Sequence, residues 1–187
     1  MSTESTSYTR VAIALHWVIA IMIIGNLIGG KVMHSMDVST QKFELYQLHK
    51  SFGILILVFS ILRLIWRLLH RPPALPAQMK QWERTLAKAS HHMFYALMIG
   101  VPLAGWMMSS ASPTNIPTKV FKTIPWPDFP GLTRSEAMVD RLANAHELLA
   151  YALGALLALH VGAALKHHFV NRDNVLIRMI PFLKVRQ

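Results

Sequence analysis

The chain has 187 residues, 53% of them hydrophobic and only 15% charged, with a mean hydropathy of +0.36. That is too apolar for an ordinary soluble domain and points to one compact membrane domain. There is no cysteine, which excludes a thiolate metal ligand, an iron–sulfur cluster, a disulfide framework and covalent C-x-x-C-H haem attachment. The net charge of +10 fits Lys/Arg-rich cytoplasmic loops of a membrane protein better than nucleic-acid binding.

Met1–Arg10 is polar, rich in Ser and Thr, and reads as a frayed tail. Val11–Gly30 is apolar apart from His16 and Asn26. Its 20 residues are too long for a signal-peptide core and no A-x-A site follows, so it reads as a retained transmembrane helix, about 11–30. Lys31–Lys50 is a short connector of mixed charge. The second span, about 46–69, is entered through His49 and carries Arg63 and Arg67 toward its far end. It stops at R-P-P-A-L-P, Arg71–Pro76. Gln78–His92 is polar and basic. The third span, about 91–109, has its apolar run at Met93–Met108, with Tyr95 and His91–His92 as interfacial footing and Pro102 inside. Ser109–Val139 contains five prolines and Trp126. Irregular structure on the membrane surface is expected there, with a short helix near Thr133–Asp140. The fourth span, about 142–168, includes an 18-residue run, Leu148–Leu165, broken only by His160. The basic tail Phe169–Gln187 is expected to start a short interfacial helix at Asp173 or Asn174.

The expected fold is therefore an all-α membrane protein, a four-helix transmembrane bundle. With both termini and the second–third connector on one side, that side holds 12 of the 19 basic residues and three acidic ones, Glu4, Glu83 and Asp173. The opposite side holds seven basic and six acidic residues. The positive-inside bias makes the first side cytoplasmic.

Four histidines then fall at two depths. His16 and His160 lie near the cytoplasmic face, His49 and His146 near the outer one. His146 and His160 are 14 residues apart, which at about 100° per residue leaves them within roughly 40° of one stripe and roughly 21 Å apart along the axis. The pairs His16/His160 and His49/His146 can each bridge the two axial positions of a b-type haem, and a six-coordinate iron of that kind suits electron transfer. Histidines at membrane depth also serve proton relays and polar contacts, so a haem-free channel or transporter is the reading of another class. Gly53 and Gly162 lie close to ligand candidates, where a flat macrocycle or ordinary helix packing equally favours a small residue.

Several stretches carry a family resemblance: A-L-H-W at Ala14–Trp17, L-H-K-S-F-G at Leu48–Gly53, N-A-H-E at Asn144–Glu147, A-L-H-V-G-A-A-L-K-H-H at Ala158–His168, and D-N-V-L-I-R-M-I-P at Asp173–Pro181. Over nearly its whole length the chain resembles the bacterial cytochrome b-561 family, small four-helix di-haem cytochromes of the inner membrane. The resemblance implies two haem b groups on His16, His160, His49 and His146. Its superoxide-oxidising branch implies electrons taken from superoxide at the periplasmic face and passed to ubiquinone. On the outer rim, Lys50 directly follows a ligand candidate and is the leading residue for steering such an anion. The same rim suits docking of a periplasmic redox protein, which would make the chain an electron-transfer cytochrome. On the cytoplasmic side, His167 lies seven residues beyond His160, within roughly 20° of its stripe and about 10 Å further out. His167, His168, His91 and Arg71, with Arg67 and Trp82 nearby, are the candidates for a quinone site, against simple interfacial anchoring. Arg10, Arg63 or Arg67 could pair with haem propionates.

Overall fold

The four apolar stretches form the four long helices of a computed structural model that describes residues 7–76, 78–114, 116–180 and 183. They are α1 (Arg10–Ser35), α2 (Thr40–Leu69), α3 (Gln81–Ser110) and α4 (Glu136–Lys166). All four are long and apolar enough to cross a membrane. Even the shortest, with 26 residues, is about 39 Å long, against about 30 Å of hydrocarbon. Helical hydrogen bonding therefore runs past the apolar layer at the ends.

Side-chain caps fix several helix starts. Thr9 accepts from Ala12 N, Ser39 from Lys42 N and Ser135 from Met138 N. The Glu83 carboxylate accepts from Lys80 N at 3.3 Å, so α3 begins ten residues before the expected 91, within the polar stretch Gln78–His92. The helix expected near Thr133–Asp140 is instead the first turn of α4, which Ser135 starts ahead of the expected 142. Hydropathy marks where a helix meets lipid and is silent on how far its ladder extends.

Consecutive helices pack on one another: α1 on α2, α2 on α3, α3 on α4. The bundle therefore carries both ends of the described chain on the same side, and Trp17 Nε1 of α1 donates to Met179 O of the tail at 2.8 Å. Between α1 and α4 an apolar cleft of about 400 Å³ remains, lined by Leu27, Gly154 and Leu157 among others. Ile21, Ile28, Leu68, Leu148, Leu159 and Val170 are more than half exposed on the sides of the bundle, a surface that lipid covers and water would not tolerate.

The long connector is more ordered than its prolines imply. Strands β1 (Lys119–Val120) and β2 (Ile124–Pro125) pair antiparallel around a turn in which Phe121 and Lys122 adopt φ of 49° and 63°. This hairpin is pinned to α2. Phe121 N donates to Ser51 Oγ at 2.9 Å, the Phe121 ring meets Phe52 edge-on, and Lys122 pairs with Glu44. At the other end α4 passes into a π-turn, His167–Asn171, and the tail continues as hydrogen-bonded turns across 174–180 instead of the interfacial helix expected there. Residues 1–6, 181, 182 and 184–187 of the two tails lie outside the described residues.

Candidate functional site

The helices bring four histidines into two pairs at opposite ends of the bundle. At the end bearing the hairpin, His49 of α2 faces His146 of α4 with ring centroids 6.1 Å apart. At the end bearing the tail, His16 of α1 faces His160 of α4 at 6.2 Å. Between the layers sits an apolar plug of Ile19, Ile23, Ile56, Leu97, Met98 and Leu153. Leu153 lies seven residues from each α4 histidine.

Each pair has its own surroundings. The His146 Nδ1 is 2.9 Å from Val101 O. A carbonyl only accepts, so Nδ1 carries the proton and, in the neutral ring, Nε2 keeps a free lone pair. A metal-binding imidazole is usually oriented this way, by a carbonyl that holds the nitrogen facing away from the metal. A Cβ at Gly105 would lie 3.0 Å from His146 Cε1 and 3.1 Å from its Nδ1. Gly105 therefore makes room for the ring, a role the sequence does not mark. Gly30 does the same less tightly for His49, at 3.5 Å. Gly53 meets only Asn26, at 3.8 Å, and Gly162 has open space beside it, so the two glycines singled out by sequence position do not touch the rings. His49 Nδ1 is buried without a hydrogen-bond partner.

At the tail end, His160 also touches Phe94 and His91, the latter at 6.1 Å between centroids. His91, expected at headgroup depth with the quinone candidates, thus stands against the histidine pair, its Nδ1 bonded to Ala87 O at 2.6 Å. The reason is the long α3, which enters the bundle a turn or more before its apolar run. Arg63 donates to Ala12 O at 3.2 Å and Arg67 lies 5.9 Å over the Tyr95 ring. His167 is buried and pairs with Asp173, while His168 packs on Phe169. Arg71 is exposed in the connector after α2, and Arg10 is exposed at the start of α1. Trp82 lies under Lys166, which also bridges to Glu83 at 2.8 Å. Lys50 is half-buried beside the far pair.

Two imidazoles bound to one metal are separated by two bonds of about 2 Å and a ring radius of about 1.1 Å on each side, roughly 6.2 Å between centroids. Both pairs have that spacing, and so does His91 with His160, so at the tail end the spacing is shared by two partners of His160. Among the described residues no three His, Asp or Glu side chains converge to hold a bare metal ion. Imidazoles arranged two by two fit a centre that brings its own further ligands, as a haem does.

The prokaryotic cytochrome b561 family profile matches residues 7–182. The chain belongs to that family. Cytochrome b561 homolog 2 of Escherichia coli strain K12 is 31% identical over 92% of this chain and 90% of the relative. A probable superoxide oxidase of Yersinia pestis is 28% identical over 93% and 96%, and cytochrome b562 of Cereibacter sphaeroides is 26% identical over 95% and 98%. The chain is thus a multi-pass membrane protein of electron transfer, from a family that binds b-type haem.

Proposed function

We propose that this chain is a single di-haem domain of the bacterial inner membrane, with both termini cytoplasmic, that oxidises superoxide at the periplasmic face and reduces ubiquinone near the cytoplasmic one. The observation that carries the reading is the pair of bis-imidazole spacings, 6.1 and 6.2 Å, at opposite ends of one bundle. His49 and His146 would hold the outer haem, and His16 and His160 the inner one. Each haem would supply a one-electron centre. The protein's part is to hold, space and insulate. Val101 O fixes the His146 ring, and the apolar plug around Leu153 keeps water and ions out of the interval between the layers. Lys50 draws the anion toward the outer edge, and His167, His168, His91 and Arg71 border the quinone side. Overall, two superoxide anions become two dioxygen molecules, while one ubiquinone takes two electrons and two protons.

One observation favours a second reading, a cytochrome that exchanges electrons with a periplasmic redox protein. Lys122 and Arg134 of the outer rim are already matched by Glu44 and Asp128, which weakens the field available to steer a small anion. A visible spectrum of the purified protein tests the shared premise, since both readings require a reducible b-type haem signal. Stopped-flow mixing with superoxide separates them. Haem reduction no faster than with an inert reductant of similar potential would leave only the redox-protein reading.

A further inference from the structure

Two polar residues interrupt the first apolar span, His16 and Asn26. An amide at membrane depth is costly unless it is bonded, and there it commonly ties one helix to another. Asn26 is bonded: its Nδ2 donates to His49 O of α2 at 3.2 Å. Gly53 of α2 lies beside the amide, where an added Cβ would stand 3.8 Å from Nδ2. The acceptor belongs to the main chain of the histidine itself. One turn further along α1, Gly30 meets the ring, with its added Cβ 3.5 Å from His49 Cε1. The backbone of Asn26 also faces this ring, but Nδ1 closes no hydrogen bond.

The other outer histidine is backed at the same spacing. Val101 O lies 2.9 Å from His146 Nδ1, and four residues on, an added Cβ at Gly105 would lie 3.0 Å from His146 Cε1. A step of four residues returns to the same helix face one turn away. Each outer histidine thus meets a polar contact and, a turn later, a glycine, both from a helix that carries neither of the two outer histidines. On α3 the polar contact holds the ring. On α1 it holds the main chain, so the direction of the His49 ring follows the rotation of α2. A side chain about 5–6 Å from its helix axis moves sideways by about 1 Å for a rotation of about 10°. A metal ligand must be placed to within about 0.5 Å. A single bond that fixes this rotation is therefore enough to decide whether His49 meets its partner.

We propose, on the di-haem reading above, that Asn26 is the positioning residue of the outer pair on the α1 side. By holding the His49 carbonyl, its amide fixes the rotation of α2 and aims the His49 ring at His146. The inner pair lies ten residues away along α1, about 15 Å, and serves as the internal reference.

The test uses the haem-loaded protein in detergent and the variants Asn26→Leu, Asn26→Ala and Asn26→Gln. A redox titration resolves the two haems. Electron paramagnetic resonance of the oxidised protein reports the angle between the imidazole planes at each, and transfer to excess apomyoglobin reports how firmly each is held. Asn26→Leu should shift the midpoint potential and the resonance position of one haem, the one that His49→Ala perturbs. It should speed the transfer of that haem about ten-fold, the low end for loss of a contact supporting a ligand. The other haem should keep its values. Asn26→Ala removes the same bond with less bulk and should act alike. Asn26→Gln keeps a donor and should restore most of the resonance position and the transfer rate. Equal responses of both haems, or no response in either Asn26→Leu or Asn26→Ala, overturn the proposal. So does an Asn26→Gln variant as altered as Asn26→Leu, which would mark packing and not the hydrogen bond. An unaltered protein carrying fewer than two haems would instead sink the di-haem reading itself.

Discussion

The tightest geometric constraint at either histidine pair is Gly105, and its replacement by alanine is the sharpest test of how the outer pair is held. The added Cβ would lie 3.0 Å from His146 Cε1, where ordinary contact begins at 3.4 Å. The ring must therefore retreat by 3.4 − 3.0, about 0.4 Å, or α3 must move away from α4. The ring is not free to slide, because Nδ1 is tied to Val101 O at 2.9 Å one turn earlier on the same helix. Overpacking of this kind costs about 1–3 kcal/mol, and disturbance of a ligand's second shell typically costs about 10- to 100-fold in metal affinity. At about 1.4 kcal/mol per ten-fold the two ranges agree.

Gly105→Ala should therefore lower the occupancy of the outer haem, or shift its midpoint potential, and leave the inner one untouched. The assay is haem per protein, with a redox titration resolving the two centres. Gly162→Ala is the control. That glycine is beside His160 in sequence, yet nothing lies within 4 Å of its added Cβ, so both haems should be retained. Equal loss of both centres in Gly105→Ala, or none of either, would refute the argument that this glycine acts through His146.

His49→Ala and His146→Ala should perturb one and the same haem, and His16→Ala and His160→Ala the other, as read by potentiometric titration of each variant. Cross-pairing would break the assignment. Lys50→Gln should slow superoxide-driven haem reduction about three-fold or more at low ionic strength, with the deficit shrinking as salt screens the charge. Lys122→Gln should change little, because Glu44 already matches that charge at 2.9 Å. Equal effects would favour a docked redox protein. Ser51→Ala removes the acceptor for Phe121 N and should cost about 1–3 kcal/mol, visible as a lower melting temperature in detergent and faster proteolysis within 119–125. An unchanged melt and digest would mean that the Phe52–Phe121 contact alone holds the hairpin.

The four spans and the two histidine pairs are legible in sequence because each rests on a count. Apolar run length registers lipid thickness, and 14 residues register nearly four helical turns. What escaped has no count behind it. Helix α3 starts at Gln81 because a Glu83 contact caps it, and its polar first turns carry no membrane signal. The hairpin strands are two residues each, too short for any period. His91 reads from the sequence as a headgroup-depth residue, but whether it faces lipid, headgroups or His160 depends on how α3 enters the bundle and on its rotation about its axis. Gly105 matters only through a ring on another helix, and Asp173 meets His167 only because Arg172 reverses the chain.

Those escaped contacts have a common address. The sequence gives α3 no partner in either pair, yet it supplies one wall for both histidines of α4. His146 rests on Val101 and Gly105, and His160 on His91 and Phe94. The two footholds are about three turns apart on α3, a turn less than the nearly four turns that separate the two histidines on α4. A single residue inserted into either helix between its footholds would rotate one of them by about 100°. α2 contributes one histidine and is tied to one layer, whereas α1, with His16 in one layer and Gly30 and Asn26 against His49 in the other, meets both. α3 meets both as well, but only α4 carries a histidine in each, so the interval between His146 and His160 sets how far apart the two pairs stand.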